Sequence, residues 1–412
     1  MKENQSFILI MACLAVVCTQ AGVTMYSPSI PFLLTAFHTG YTSVAYTMTA
    51  YLLGYAIAMF CMGGLSDQLG RKKSYLLVTG IFSVSSLLLA MTSSIHTFIA
   101  LRLLQGIGGG GCAVIARTSV RDIFEGKALV KGMSYISIAF YFSMGIFQYI
   151  GGIVQFYANY KIDFILMFLF SLLIVLSIYF AFPETHSSSK KMISVRQFAT
   201  DYLKIIRERY LMIIALGGGI GYAILLAFNI MGAFYLQKCL HVSPVMIGKI
   251  GIYLSFSYIL GAMLTNYLVK LLTMDALIQI GKILLFVAGI FSLMSAMRGT
   301  QTILSVVLPV MLGILGQAML YPCAMTKAIE PYKSTAGAAS SLFGFTQQLS
   351  GFVVSAIVGW LPYQHIIWFG GMVFLIGLIS FLLLTPRFLT RNFVPYDEYL
   401  PTGAEAKSGA RE

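Results

Sequence analysis

Eleven residues, Gly63-Gly-Leu-Ser-Asp-Gln-Leu-Gly-Arg-Lys-Lys73, place one acid beside three bases between two apolar runs. The glycines allow a tight turn. Asp67 falls at a helix end, with Arg71 close behind it. The chemistry on offer is ion pairing rather than bond making. Asp67 is expected to pair with Arg117 or Arg121 on the same face, and to meet the positive dipole end of a later helix near Ser334–Ala339. Contacts that exist in one conformational state and break in another bias the equilibrium between them. Asp67, Arg71, Arg117 and Arg121 are therefore the expected gating group.

Arg102 lies within an apolar run, Leu101-Arg-Leu-Leu-Gln-Gly-Ile-Gly108. A charge there is costly unless it faces water or a polar partner. One reading gives it an anionic ligand, because a guanidinium grips a carboxylate in a two-pronged geometry. The other gives it neighbouring carbonyls and Gln105. Lys249 and Lys282 read as side chains that snorkel from helix ends. Tyr26, Tyr51, Gln148, Asn229, Gln317, Tyr321 and Gln347 complete the expected binding set with Arg102. Aromatic faces suit flat organic ligands, and amides supply a few orienting hydrogen bonds.

Catalytic and metal chemistry finds no foothold. The six cysteines are scattered through apolar segments without metal spacing, and the five histidines lie near loops, far apart in sequence. No Gly-Lys-Ser/Thr follows the glycines at 106 and 108–111 or at 217–219, so a phosphate loop is not expected. Neither a cofactor nor an enzyme activity is expected.

The elements that must position these residues are membrane helices. The chain is 58% hydrophobic and 10% charged, against about 25% charged in soluble domains. No Asp, Glu, Lys or Arg occurs from Asn4 to Ser66 or from Ser334 to Pro386. A bilayer core of roughly 30 Å takes about 20 helical residues. The runs are apolar all round rather than alternating, which argues for helices over a barrel. The expected spans are 6–26, 42–65, 74–94, 98–117, 133–157, 163–183, 210–236, 245–269, 276–297, 302–326, 336–360 and 364–384, with turn-rich stretches such as Tyr26–Pro31 between them. The predicted fold class is an all-α membrane protein of twelve transmembrane helices in two pseudo-symmetric six-helix bundles. The N-terminal bundle covers 1–183, a central linker 184–209, the C-terminal bundle 210–386 and a tail 387–412. A weak repeat supports two halves: Lys73 to Phe82 and Lys282 to Phe291 share Lys, Val, Gly, Ile and Phe at a constant offset.

Most of the 27 Lys and Arg residues fall on the side of the N-terminus, in the turns near 71–73, 117–131 and 190–209 and in the tail. Lys161, Lys238 and Arg298 fall on the other. Positive loops stay inside, so both termini are expected in the cytoplasm. The net charge of +13 then faces anionic lipid, and no nucleic-acid motif is present.

The 63–73 loop resembles the signature loop of the major facilitator superfamily. Arg102-x-x-Gln105-Gly106 and Pro183-Glu-Thr185 resemble further motifs of that family. Val23-Thr-Met-Tyr-Ser-Pro-Ser-Ile-Pro31, Ala116-Arg-Thr-Ser-Val-Arg-Asp122 and Ala336-Gly-Ala-Ala-Ser-Ser-Leu-Phe-Gly-Phe345 are similar to its bicyclomycin-resistance (Bcr/CflA) drug-efflux branch. The resemblance implies a multi-pass inner-membrane transporter, a monomer among membrane lipids, that moves a small organic molecule by alternating access. The branch exports drugs or metabolites in exchange for protons. Two departures bear on that exchange: Thr24 stands where the branch has Asp, and Gln148 where it has Pro. Asp67, Asp122, Glu184, Asp275 and Glu330 read as lying at cytoplasmic helix ends, and Asp163 near an outer end. No carboxylate is placed near mid-helix, so proton coupling through the protein is expected to be weak or absent. The alternative cargo is an anionic metabolite or carboxylate siderophore bound near Arg102, carried in either direction. A membrane-embedded enzyme is the distant alternative.

Overall fold

The structure, a computed structural model, describes residues 2–185, 206–299, 302–332 and 336–385. The expected tail 387–412 and most of the expected linker lie outside the described residues. Twelve helices are long and apolar enough to cross a membrane. They are α1 (Lys2–Thr24), α2 (Tyr41–Leu69), α3 (Arg71–Met91), α4 (Ile95–Ile123), α5 (Gly126–Tyr157) and α6 (Tyr160–Ala181). The second half holds α7 (Arg209–Lys238), α8 (Pro244–Leu268), α9 (Met274–Met297), α10 (Ile303–Ile329), α11 (Ala336–Trp360) and α12 (Ile366–Leu383).

Their polarity is arranged for lipid. Leu173, Phe180, Met263 and Met297 face outward, while Arg102, Gln105, Gln148, Asp163 and Asn229 are buried. Polar groups in a membrane protein find partners only within the bundle, which reverses the soluble pattern. Helix ends are capped where the chain turns. Asn159 accepts from the Lys161 N–H at 3.0 Å, and Ser243 accepts from Met246 ahead of α8, where Pro244 opens the helix. Thr302 and Ser305 form a reciprocal capping box on α10.

Equivalent helices pack equivalently in the two halves. α3 packs on α4 and α6 as α9 packs on α10 and α12, and α2 packs on α4 as α8 packs on α10. The halves meet along two related seams, α2 against α11 and α5 against α8. Small residues make the first half tight. A Cβ on Gly54 would lie 2.1 Å from the Leu103 carbonyl oxygen, and one on Gly106 would lie 2.0 Å from that of Tyr51. The backbones of α2 and α4 therefore touch where glycine alone fits.

Two helices are broken, and they occupy the same position in each half. α1 gives way at Ser27–Phe32 to a 3-10 turn, then to a short helix, Leu33–Ala36. Pro28 and Pro31 remove two backbone donors there. α7 passes through a π turn at Phe228–Gly232. Tyr26–Pro31, expected as a loop between crossings, is instead fully buried within the first crossing. Its Pro28 carbonyl accepts from the Gln237 side chain of the other half, the kind of contact that lets irregular backbone persist at membrane depth.

Candidate functional site

The two breaks face each other. Ser27 Oγ lies 3.0 Å from the Asn229 carbonyl oxygen and 3.3 Å from its Oδ1. Gln148 Nε2 donates to the same Oδ1 at 3.3 Å, and Gln237 Nε2 donates to the Pro28 carbonyl at 3.1 Å. A three-way joint thus links α1, α5 and α7 across the halves. Facing interruptions at repeat-equivalent positions mark the site in many carriers. Thr24 stays out of the joint and donates back to the Gln20 carbonyl at 3.0 Å.

Arg102, Tyr26 and Tyr51 come together, but as a closed cage. The guanidinium donates to the Thr47 carbonyl at 3.3 Å, the Gly22 carbonyl at 2.9 Å and the Gln105 side-chain oxygen. Its carbon sits over the Tyr26 ring at 4.6 Å and the Tyr51 ring at 4.3 Å. Tyr26 bonds Thr47, and Tyr51 donates to the Thr19 carbonyl at 2.9 Å. Arg102 is 0% exposed. In this structure each guanidinium nitrogen donates within the bundle, Met48 Sδ among the acceptors, and both of its flat faces are covered by rings. Cation–π contacts and carbonyls replace the carboxylate that a buried charge otherwise requires.

The remaining expected residues gather elsewhere, around tyrosines that the sequence reading had not singled out. Tyr141 of α5 and Tyr258 of α8 stack with planes 14° apart. Tyr321 of α10 lies within electrostatic reach of both, Tyr222 of α7 within reach of Tyr141, and Tyr55 of α2 within reach of Tyr222 and Tyr321. Tyr321 also sets its ring edge-on to Phe343 at 5.4 Å. Gln317 Nε2 donates to the Gly218 carbonyl at 3.0 Å, while its Oε1 has no partner. Gln347 lies against Gly219, one helix over. The Tyr222 hydroxyl is buried and unpartnered as well. Both halves therefore contribute phenol rings to one cluster, and the Tyr55 and Tyr222 hydroxyls and the Gln317 Oε1 there are buried without a partner. A usable signal was in the sequence: Tyr51 and Tyr55 are spaced to share a helix face.

At the far end of the bundle, Asp67 pairs with Arg71 at 2.6 Å, and Arg71 Nε pairs with Asp122 at 2.7 Å. The expected pairing of Asp67 with Arg117 or Arg121 is corrected. Arg71 is the nearer base because the turn at Gly70 (φ 86°) folds α3 back beside Asp67. Glu184 completes the cluster by accepting from the backbone N–H of Arg71 at 2.7 Å and of Lys72 at 3.2 Å, capping α3 with a carboxylate. A Cβ on Gly70 would lie 2.7 Å from that carboxylate. Of the stretch Ser334–Ala339 expected near Asp67, Ser334 and Thr335 lie outside the described residues. Nearby, Phe60 of α2 meets Phe345 of α11 at 5.3 Å. The second half repeats the arrangement with Asp275 of α9 paired to Lys327 of α10.

Asp163 lies in the first turn of α6, the end expected for it, and is buried there: it is 0% exposed, accepts from Ser29 Oγ at 2.7 Å, and its Oδ1 has no partner. The 3-10 turn of α1 covers it. Lys282 does not snorkel. It is 3% exposed, donates to the Leu384 carbonyl at 3.1 Å and lies over the Phe381 ring, so it caps the end of α12. Lys249 is exposed.

Two repeat-related six-helix halves, with broken helices at their joint and a polar aromatic cluster between them, are the architecture of a membrane carrier for small molecules. The chain matches the model of the Major Facilitator Superfamily over residues 12–355 and belongs to that family. Among its relatives, multidrug resistance protein D of Escherichia coli is 26% identical over 390 residues, covering 93% of this chain and 96% of that protein. The bicyclomycin resistance protein homolog of Haemophilus influenzae is 26% identical over 372 residues, covering 87% and 89%. Solved structures share the fold at low identity. A D-xylose–proton symporter superposes with a TM-score of 0.74 at 15% identity, over 94% of this chain and 98% of that one. An inward-facing, unoccupied bacterial homolog of the human lysosomal transporter Spinster gives 0.73 at 12% identity, over 96% and 100%. The protein is a multi-pass membrane transporter and not an enzyme.

Proposed function

We propose that this chain is an alternating-access exporter of small organic molecules in the cytoplasmic membrane, working as a monomer with both termini in the cytoplasm. The observation that carries the proposal is the tyrosine cluster, built from α2 and α5 of one half and α7, α8 and α10 of the other. A ligand held there contacts both halves, so its binding energy is available to drive their relative motion. Relatives named for multidrug and bicyclomycin resistance support export of drug-like cargo. The Asp67–Arg71–Asp122 group acts as the cytoplasmic latch, and the Ser27–Asn229–Gln148 joint closes the opposite side.

Proton antiport is secondary in this carrier, since Thr24 and Gln148 stand where the branch has Asp and Pro. Asp163 is the buried carboxyl through which any coupling would run. Nothing in the cluster selects a carboxylate siderophore over a smaller anion. The test is flux of a flat aromatic dye in proteoliposomes. Tyr258→Ala should cut flux at least about tenfold with the thermal unfolding midpoint retained. Full flux in that variant would remove the cluster as the site.

A further inference from the structure

The outer surface of the first half carries a groove between α3 and α4. The two helices touch through small residues: a Cβ on Gly108 would lie 2.6 Å from the Phe82 backbone nitrogen, and one on Gly111 would lie 2.5 Å from a Val78 methyl carbon. Beside that contact they leave a cavity of about 560 Å³, lined by Leu77, Gly80, Val84 and Leu88 of α3 and by Leu104 and Ile107 of α4. Leu77, Val84, Leu88 and Leu104 are exposed. At Gly80 the wall is bare backbone, and a Cβ there would meet nothing within 4 Å. Ser85, the polar side chain of the wall, donates back to the Ile81 and Phe82 carbonyls. The groove therefore offers no hydrogen bond to a ligand. A hydrocarbon chain, as apolar as the leucines around it, needs none.

Its length fits one such chain. From Leu77 to Leu88 the helix rises about 17 Å, and half of a bilayer core is about 15 Å. One end of the groove is charged. Lys73 is exposed and lies one turn before Leu77, and positions 73, 77, 80, 84 and 88 form a single stripe on α3. Lys73 stands in the first turn, so its side chain tilts toward the helix N-terminus and the headgroup layer. Among the described residues it has no ion-pair partner. The acids near it are committed: Asp67 and Asp122 to Arg71, and Glu184 to the backbone N–H groups of Arg71 and Lys72.

We infer that this groove is a binding site for an anionic phospholipid, with one acyl chain along Gly80 between α3 and α4 and the phosphate at Lys73. The cytoplasmic leaflet carries the anionic lipid, and that is the side proposed above for this end of α3. The site is separate from the tyrosine cluster and does not depend on it.

The test places a fluorescent reporter in the groove wall, Leu77→Trp, in a full chain that also carries Trp360→Phe and Trp368→Phe. A control chain carries Leu173→Trp instead, at an exposed position on α6. Each is reconstituted in bilayers of phosphatidylcholine and phosphatidylglycerol with identical chains, one lipid at a time bearing brominated chains as quencher. Both leaflets hold both lipids, so the direction of insertion does not affect the result. Quenching gives the binding constant of phosphatidylglycerol relative to phosphatidylcholine at each reporter. The groove reporter should show about a fivefold preference for phosphatidylglycerol, and the control about none. Lys73→Gln should abolish the preference. Gly80→Leu fills the groove from a position with no protein atom against it, and should abolish the preference and reduce quenching by either lipid. Equal ratios at the two reporters, or a preference that survives either substitution, overturns the inference. So does a groove reporter that neither lipid quenches while two chains cross-link in the same bilayers, since a second copy of the protein then fills the groove.

Discussion

Arg102→Lys is the sharpest test of the cage. The guanidinium reaches three oxygens on α1, α2 and α4 at once, those of Gly22, Thr47 and Gln105, while lying flat between Tyr26 and Tyr51. An ammonium at the end of a lysine is a point donor with no flat face, and keeps at best part of that set. One or two buried carbonyls lose their donor. Each unpaired group costs about 1–3 kcal/mol, although interhelical hydrogen bonds in membranes average nearer about 0.6 kcal/mol. Weakened stacking on two rings adds a few tenths to about 1 kcal/mol. The variant should therefore be about 1–4 kcal/mol less stable, read as a lower thermal unfolding midpoint in detergent. Because the residue touches no ligand, 1-naphthoate and 1-naphthamide should be affected by the same factor. An unchanged midpoint with a selective, roughly tenfold loss of naphthoate, about 1.4 kcal/mol, would refute the cage and restore Arg102 as a ligand.

Asp67→Asn removes one of the two acids on Arg71 and leaves Asp122, so turnover should slow while equilibrium binding stays within about threefold; a large loss of affinity at normal turnover would contradict the latch. Asp163→Asn preserves an acceptor for Ser29 and removes a carboxyl with no cation partner among the described residues. Its unfolding midpoint should correspond to a change within about 1 kcal/mol, and a severe loss would point to an ionised, paired carboxylate. Gly54→Ala drives a methyl into the Leu103 carbonyl, with backbone on both sides, and should cost about 3 kcal/mol or more and most of the folded yield. Gly80→Ala meets nothing within 4 Å and should be neutral or stabilising by up to about 1 kcal/mol. The pair of glycine variants, compared by size-exclusion profile and thermal midpoint, tests the α2–α4 contact directly.

The amino-acid sequence determined the class of this protein because its solvent is written in composition. Charge-free runs long enough to span a bilayer admit helices alone, and the 63–73 loop carries its own turn and ions in consecutive residues. Twelve crossings, two halves and the place of Asp67 and Arg71 follow from such local facts. The sequence also placed Arg102 and Tyr51 inside the bundle, since each lies within an apolar run, whereas Tyr26 read as the edge of a turn. Which of them remain free for a ligand was decided only by tertiary structure. Arg102 is held because the carbonyls of Gly22 and Thr47, 80 and 55 residues away, fall within reach of its guanidinium. Asp163 is a helix-end acid in sequence and structure alike, and only the 3-10 turn of α1 folded over it makes it a buried one. The tyrosine cluster draws on five helices from both halves. Donor consumption and burial depend on groups distant in sequence, and only the packed helices bring those groups together.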